Sequence, residues 1–507
     1  MKARSPGVRT TTRLAASAAA LLVTVSSTGC RTVGPDYKRP EATYPAEFRG
    51  QTGTTAAGSI AEQPWQSVFT DPALQALITD ALANNHDLEI AAARVQQAQA
   101  LVGIVESQGG PQLDYQTFLG TQQTLTPEPN DIGTARFAAI GGALNASWEI
   151  DLWGRIRRQT EAAEANLYAQ QYVARGVVLS LVSEVASGYF RLLTLDRELE
   201  IAQESQKVYG RTLDLFTLRF DAGKDSKLPV ERASSGYQAS QADVEDLKRA
   251  IAQQENALSV LLGVPPRAIA RGRPLDQQIA PPTPVGATSE VLQRRPDILR
   301  AEQEMIRANA EIGVAVANYF PRVGLSALLG GDIVHFEGDT NSFGLWNLAL
   351  NAAGPIFTSG RLEEAYNLRR AFWDQSVAEY RKTVLTAFQE TSDALAAQDT
   401  LGRQRTALER QVASLRESMD LALLRYDGGR ASYFEVLEAE QQLFPAEDAL
   451  ARTKRDQLLA VVNLYKALGG GWHTAAPAAG INTASPAVPP GRNPSNPPAR
   501  NPSNGGE

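Results

Sequence analysis

The chain of 507 residues contains one cysteine, three methionines and three histidines. His86, His335 and His473 are too scattered for the spacing of a zinc or copper site or of a catalytic triad. Beyond residue 30 there is no long uncharged apolar run of the kind a membrane helix needs, so a membrane role has to come from strands. Positive charge is short as well: 49 Lys and Arg against 56 Asp and Glu leave a formal charge of −7. Removing Lys2, Arg4, Arg9 and Arg13 with a leader takes it to −7 − 4 = −11, which argues against nucleic acid as a partner.

The one cysteine is placed where it carries information. Ahead of Cys30 lie those four basic residues, an apolar run from Leu14 to Val25 and the small residues Ser26 to Gly29, the three-part layout of a secretory leader. The run is too short to span a bilayer. A lone thiol after Ser27-Thr28-Gly29 reads as an acylation site, which predicts removal of residues 1-29 and a covalent lipid, palmitate included, on Cys30. Ser27 stands where lipoboxes usually carry an aliphatic residue, so an ordinary leader with an incidental cysteine is the alternative.

The chain is written twice. Leu218-Arg219-Phe220-Asp221-Ala222-Gly223 matches Leu424-Arg425-Tyr426-Asp427-Gly428-Gly429 at an offset of 206, which also aligns Leu144-Asn145 with Leu350-Asn351 and Leu262-Gly263 with Leu468-Gly469. Upstream, Asp87, Ala91 and Pro111 align with Asp297, Ala301 and Pro321 at an offset of 210. Four extra residues between Pro111 and Leu144 predict a longer loop in the first copy.

After an N-terminal segment (30-70), repeat 1 covers 71-270, a linker 271-287 and repeat 2 288-473; the Pro/Asn/Ser-rich tail 474-507 is expected to be disordered. Repeat 1 reads as a helix over 72-108, strands over 112-121 and 136-150 around a turn-rich 126-131, a long helix over 155-220 and a return helix over 228-262. Repeat 2 reads as a helix over 288-318, strands over 322-331 and 343-357, a long helix over 361-426 and a return helix over 431-468. Leu181, Val185, Gly188, Leu192, Leu195 and Leu199 lead a heptad seam that runs on to Phe220. A helix of this length spans roughly 100 Å and needs partners of equal reach, supplied by two shorter helices stacked end to end.

One chain thus offers four strands, and four cannot close a barrel in lipid, where unpaired backbone is prohibitively costly. If the strands span a membrane, the protein is an oligomer. Tyr115, Phe118, Phe137, Trp148, Trp153, Phe336, Phe343, Trp346 and Phe357 fall on or beside them, as interfacial girdles require, although a soluble hairpin could use them as core.

Several strings resemble the TolC-like outer-membrane efflux factors, in the lipoprotein (NodT-type) branch that serves resistance-nodulation-division pumps. They are Cys30 with Val33-Gly34-Pro35-Asp36-Tyr37, Arg294-Arg295-Pro296-Asp297-Ile298, Phe320-Pro321, Gly354-Pro355-Ile356-Phe357, Arg425-Tyr426-Asp427-Gly428-Gly429 and Val462 to Trp472. The resemblance implies an α+β membrane protein: a homotrimer with a twelve-stranded outer-membrane barrel, four strands per chain, continuous with a periplasmic α-helical barrel that narrows to a gated tip. It implies a periplasmic adaptor and an inner-membrane resistance-nodulation-division pump as partners, outer-membrane lipid around the strands, and no enzyme activity.

A conduit lines, gates and docks. The two helix-turn-helix ends lie farthest from the strands, and they place Asp221, Gly223, Lys224 and Asp225 beside Tyr426, Asp427, Gly429 and Arg430 as candidate gate and adaptor-docking residues. Plain capping of helical hairpins is the competing account of the same residues. The absence of a methionine- or histidine-rich lining favours organic solutes such as drugs. A lipid-anchored helical rod without a pore is the alternative from another class.

Overall fold

The computed structural model describes residues 32–40, 45, 47–49, 59–128, 131–281, 284, 288–336 and 339–470. The leader 1–29, Cys30 and the tail 474–507 lie outside the described residues.

The two repeats fold alike. Helix α1 (Pro72–Asn84) starts on Asp71, whose Oδ1 accepts from the Ala73 N–H at 2.9 Å, with proline at the first helical position. The expected single helix over 72-108 breaks at Asn85, which adopts an extended backbone. Its Oδ1 takes the Asp87 and Leu88 N–H groups at 2.9 and 3.2 Å and starts α2 (His86–Ser107). The helix expected over 288-318 breaks at the matching point, Arg295-Pro296, into α5 (Thr288–Arg294) and α6 (Pro296–Ala317). Proline both disfavours a helical residue before it and suits the first turn after it.

The long helices α3 (Arg155–Asp221) and α7 (Arg361–Asp427) have 67 residues each, and the return helices α4 (Lys227–Leu261) and α8 (Tyr433–Ala467) have 35. All four end on a glycine at positive φ, Gly223, Gly429, Gly263 and Gly469. At each, two backbone N–H groups reach back to the last carbonyls in a Schellman motif: at Gly223, Lys224 N–H to Arg219 O at 2.9 Å and Gly223 N–H to Phe220 O at 2.8 Å.

Strands β1 (Gln112–Glu128), β2 (Asp131–Ile150), β3 (Arg322–Phe336) and β4 (Asp339–Ala353) form one antiparallel sheet in the order β1-β2-β3-β4. The hairpins are longer than expected, and residues 126–128 and 131 belong to strands, Glu128 facing Asp131. The four extra residues of repeat 1 lengthen the strands, two in β1 and two in β2 before Leu144, instead of the loop. β4 stops short of 357 because Pro355 has no N–H and Gly354 lies so close to Pro321 that a Cβ would meet its Cα at 2.9 Å.

Next to the sheet, the helices pack side by side in the order α2-α3-α6-α7; beyond the midpoint of the long helices the order is α4-α3-α8-α7. The core sits where the two levels meet: Leu74, Ile78, Val185, Tyr189, Leu192, Leu258, Ile298, Met305, Val384, Val462 and Tyr465 are all fully buried. One stretch of α3 is apolar and long enough to cross a membrane, but two-thirds of it is buried by α1, α4, α6 and α8. It is the spine of the chain.

Candidate functional site

The sheet has two unlike faces. Cross-strand partners share a face, so the register puts Tyr115, Leu144, Leu329 and Trp346 in one row and Leu119, Ile140 and Ile333 in another, all on the same side and all exposed. The opposite side carries Asp114, Asn145, Leu328 and Asn347 in one row and Ser326 with Asn351, joined by an amide donating to the hydroxyl at 2.8 Å. An apolar face toward lipid and a polar face toward water is the alternation of a membrane barrel. Its outer edges, β1 and β4, are unpaired in one chain. Tryptophans tie the sheet to the helices: Trp148 Nε1 donates to Gly109 O, and Trp153, stacked on Phe320 at 4.6 Å, donates to Pro321 O, both at 2.8 Å. The side chains of Phe137 and Phe336 lie outside the description.

The N-terminal segment is seated in the groove between α3 and α6, at the sheet end of the helices. Val33 N–H donates to Trp153 O at 3.0 Å, and Asn309 Nδ2 donates to Pro35 O at 2.8 Å. Arg158, 3% exposed, binds Val33 O and the Asp36 and Glu161 carboxylates. Arg39 and Tyr37 both hold Glu302. Gly34 is at φ 90°, and a Cβ there would stand 2.5 Å from Gly313 Cα. The string Val33-Gly34-Pro35-Asp36-Tyr37 is therefore a latch.

At the far end of the helices lie the predicted tip residues of the two repeats. Asp221, Gly223, Lys224, Gly429 and Arg430 are exposed, and Asp225 and Tyr426 are half-buried. Asp427 ends α7, its side chain outside the description. Asp225 pairs with Arg219 at 2.5 Å within its own turn. Residues missed in the sequence complete the tip. Tyr433, at the start of α8, meets Phe216 at 5.4 Å and Tyr426 at 5.0 Å edge-on and shares a hydrogen bond with Thr212, so one phenol joins the two turns. The signal was an aromatic one turn past the Gly428-Gly429 corner, opposite the end of the seam.

Above Tyr433, Glu440 is 1% exposed and its Oε2 has no hydrogen-bond partner among the described residues; burial pushes its carboxyl up to about 7. Asp448, two turns on, is pushed up to about 6 by burial and by the neighbouring Glu198. The tips also expose apolar side chains at matched positions, Leu218 and Leu228 in repeat 1, Leu424 and Phe434 in repeat 2.

An amphipathic four-stranded sheet with open edges, continuous with helices of about 100 Å, defines one part of an oligomeric barrel-and-tunnel channel. The profile of the outer membrane efflux protein family matches residues 77–264 and 287–470. Its two segments begin 210 residues apart and end 206 apart, the two offsets of the internal repeat. The chain belongs to that family. It is 35% identical to the solvent efflux pump outer membrane protein SrpC of Pseudomonas putida over 452 residues, 88% of this chain and 96% of the relative. It is 32% identical to the cation efflux system protein CusC of Escherichia coli K12 over 455 residues, 89% and 98% of the two chains. The open-state structure of the Neisseria gonorrhoeae MtrE outer membrane channel superimposes with a TM-score of 0.76 at 29% identity, covering 87% of this chain and 99% of that one. The protein is an outer-membrane efflux channel of Gram-negative type, trimeric, with a twelve-stranded barrel and a periplasmic helical tunnel.

Proposed function

We propose that the trimer is the passive outer-membrane duct of a tripartite pump, carrying small organic compounds such as drugs from a periplasmic adaptor and an inner-membrane resistance-nodulation-division pump to the outside. The two-faced sheet built onto the long helices carries this reading, because it supplies a water-lined route with a lipid-facing exterior. Asp221, Lys224, Asp225, Asp427 and Arg430, repeated around three chains, form charged rings at the narrow end that hold it shut. Leu218 with Leu228 and Leu424 with Phe434 make two equivalent apolar docking tips per chain for the helical hairpins of an adaptor.

The lipid on Cys30 belongs to the same reading. Val33, three residues after Cys30 in the sequence, is hydrogen-bonded to the Trp153 carbonyl. That is the sheet end of the helices, where an acyl chain meets the inner leaflet. Mass spectrometry of the mature N-terminus tests it, and an unacylated Cys30 in a correctly localised protein removes the anchor.

The deciding experiment is single-channel recording of detergent-purified protein in a planar bilayer, beside its mass in the same detergent. Discrete openings from a three-chain species are expected, with Asp427→Ala and Arg430→Ala raising open probability and antibiotic leakage. Monomers without openings would replace the duct with a lipid-anchored rod.

A further inference from the structure

The water-facing side of the sheet mixes polar residues with Leu328 and Leu345, and at one level it carries two aromatic rings. The register puts Phe118 opposite Gly141, Gly141 opposite Asp332 and Asp332 opposite Phe343, all on the face of Asn145 and Asn347 and away from Leu329 and Trp346. Phe118 is 47% exposed and Phe343 56%. Two half-exposed phenyl rings at one level of a wet face depart from the apolar-out, polar-in alternation of a barrel.

Gly141 shows how they are arranged. A Cβ added there would stand 2.7 Å from Cε1 and Cζ of Phe118 and 2.9 Å from Cβ of Asp332, so the Phe118 ring lies over the glycine with its edge at the root of the aspartate. Phe343 stands on the other side of Asp332 as its direct cross-strand partner. Covering a glycine accounts for the first ring. It does not account for the second, nor for a carboxylate between the two.

We propose that Phe118, Asp332 and Phe343, repeated around the trimer, form an aromatic and acidic girdle in the barrel that binds aromatic organic cations in transit. A carboxylate attracts the cation, ring faces stabilise it within about 6 Å, and the same rings stack on an aromatic solute. Anionic solutes of the same size gain the stacking but meet the carboxylate. The girdle rests on the reading of the chain as a trimeric duct and adds to it the class of solute the barrel itself favours. Because it faces the outer mouth, only four residues along β4 from the Asp339 turn, it is reached from outside whatever the state of the periplasmic tips.

Calorimetric titration of benzyltrimethylammonium into the detergent-purified trimer tests it, with benzenesulfonate as the anionic control and bilayer recording in parallel. Saturable binding of the cation and none of the anion is expected. Binding should weaken about fivefold in Phe118→Leu/Phe343→Leu and by a similar factor in Asp332→Asn, and Phe343→Trp should restore it in the Phe118→Leu background. Trimers that show no saturable binding, or binding that these variants leave unchanged, overturn the girdle. Channel openings with no binding overturn the girdle alone; monomers without openings overturn the duct and the girdle with it.

Discussion

The two repeats have the same elements, with long and return helices of equal length, but bury opposite members. Twenty-five residues of α3 are buried against ten of α7, whereas five of α4 are buried against fourteen of α8. The packing order explains the reversal. α3 and α8 occupy the middle of the chain's helical layer, and α4 and α7 occupy its edges. Repeat 2 leaves apolar side chains open on α7, such as Leu368, Phe372 and Leu385, at the edge of the layer where a neighbouring chain of the trimer is expected to pack. One sequence unit thus serves once inside a chain and once between chains.

The largest test of that division uses one leucine in two contexts. Leu179 is 6% exposed and Leu385, its counterpart at the offset of 206, is 65% exposed in the single chain. Leu179→Ala is expected to cost about 3 kcal/mol of protomer stability, read as a lowered unfolding midpoint. Leu385→Ala should leave the protomer folded and appear as dissociation of trimers in detergent; equal loss of protomer stability in both would break the comparison.

Next in size is pH. Glu440 has Ser234 as its counterpart, so only repeat 2 carries a buried carboxyl there. Its packed form is the neutral one, with a carboxyl pushed above the ordinary value to about 7, so the packed state holds the proton that the unfolded state has released. The stability that Glu440 contributes is therefore fully present below about pH 4.5 and falls as pH rises toward 7. From about pH 5 to pH 7.5 the loss is about 2 kcal/mol. Glu440→Gln should flatten this part of the stability profile measured by denaturant melts, and an unchanged slope would place the titration elsewhere.

A smaller effect sharpens the likeness of the halves. Asn85 Nδ2 donates to Leu261 O, and Arg295 Nη1 donates to Ala467 O, both at 3.0 Å; the donors are 210 apart and the acceptors 206. Different side chains meet the same need, a last-turn carbonyl of the return helix without an intrahelical partner. Asn85→Ala also removes the cap of α2 and should cost about 1 kcal/mol in thermal unfolding. Smallest and most alike are Gly223→Ala and Gly429→Ala, at φ 71° and 68° with nothing near either Cβ position. Each should cost about 1 kcal/mol or less from backbone strain alone. A clear difference between the two would mean that one tip bears a contact the other lacks.

Much of this was legible because it is periodic or local. The heptad seam located α3 and α7, the Asp-Ala-Gly and Asp-Gly-Gly corners located their ends, and strand-like composition around turn residues located the strands. The breaks at Asn85 and Arg295 do not show in the apolar periodicity, which runs through both; the Asn85 cap and Pro296 set them, and each hinge side chain also reaches a return helix. Tyr433 was missed for a similar reason: Thr212 and Phe216, which give it meaning, lie on α3, far away in the sequence. Lengths of hairpins were underestimated because Pro127 and Glu128 read as turn residues, yet pair across the end of β1 and β2.

By itself the sequence determined that the chain is a duplicated unit of long helices with four strands, since repeats, heptads and alternation are properties of neighbours along a chain. It also determined that the strands cannot close alone, by count. Only the tertiary structure decided which long helix becomes core and which becomes edge, which face of the sheet is wet, and that Phe118, Asp332 and Phe343 stand at one level. Those follow from register and packing order, which bring together residues more than 170 positions apart and leave no trace in local spacing.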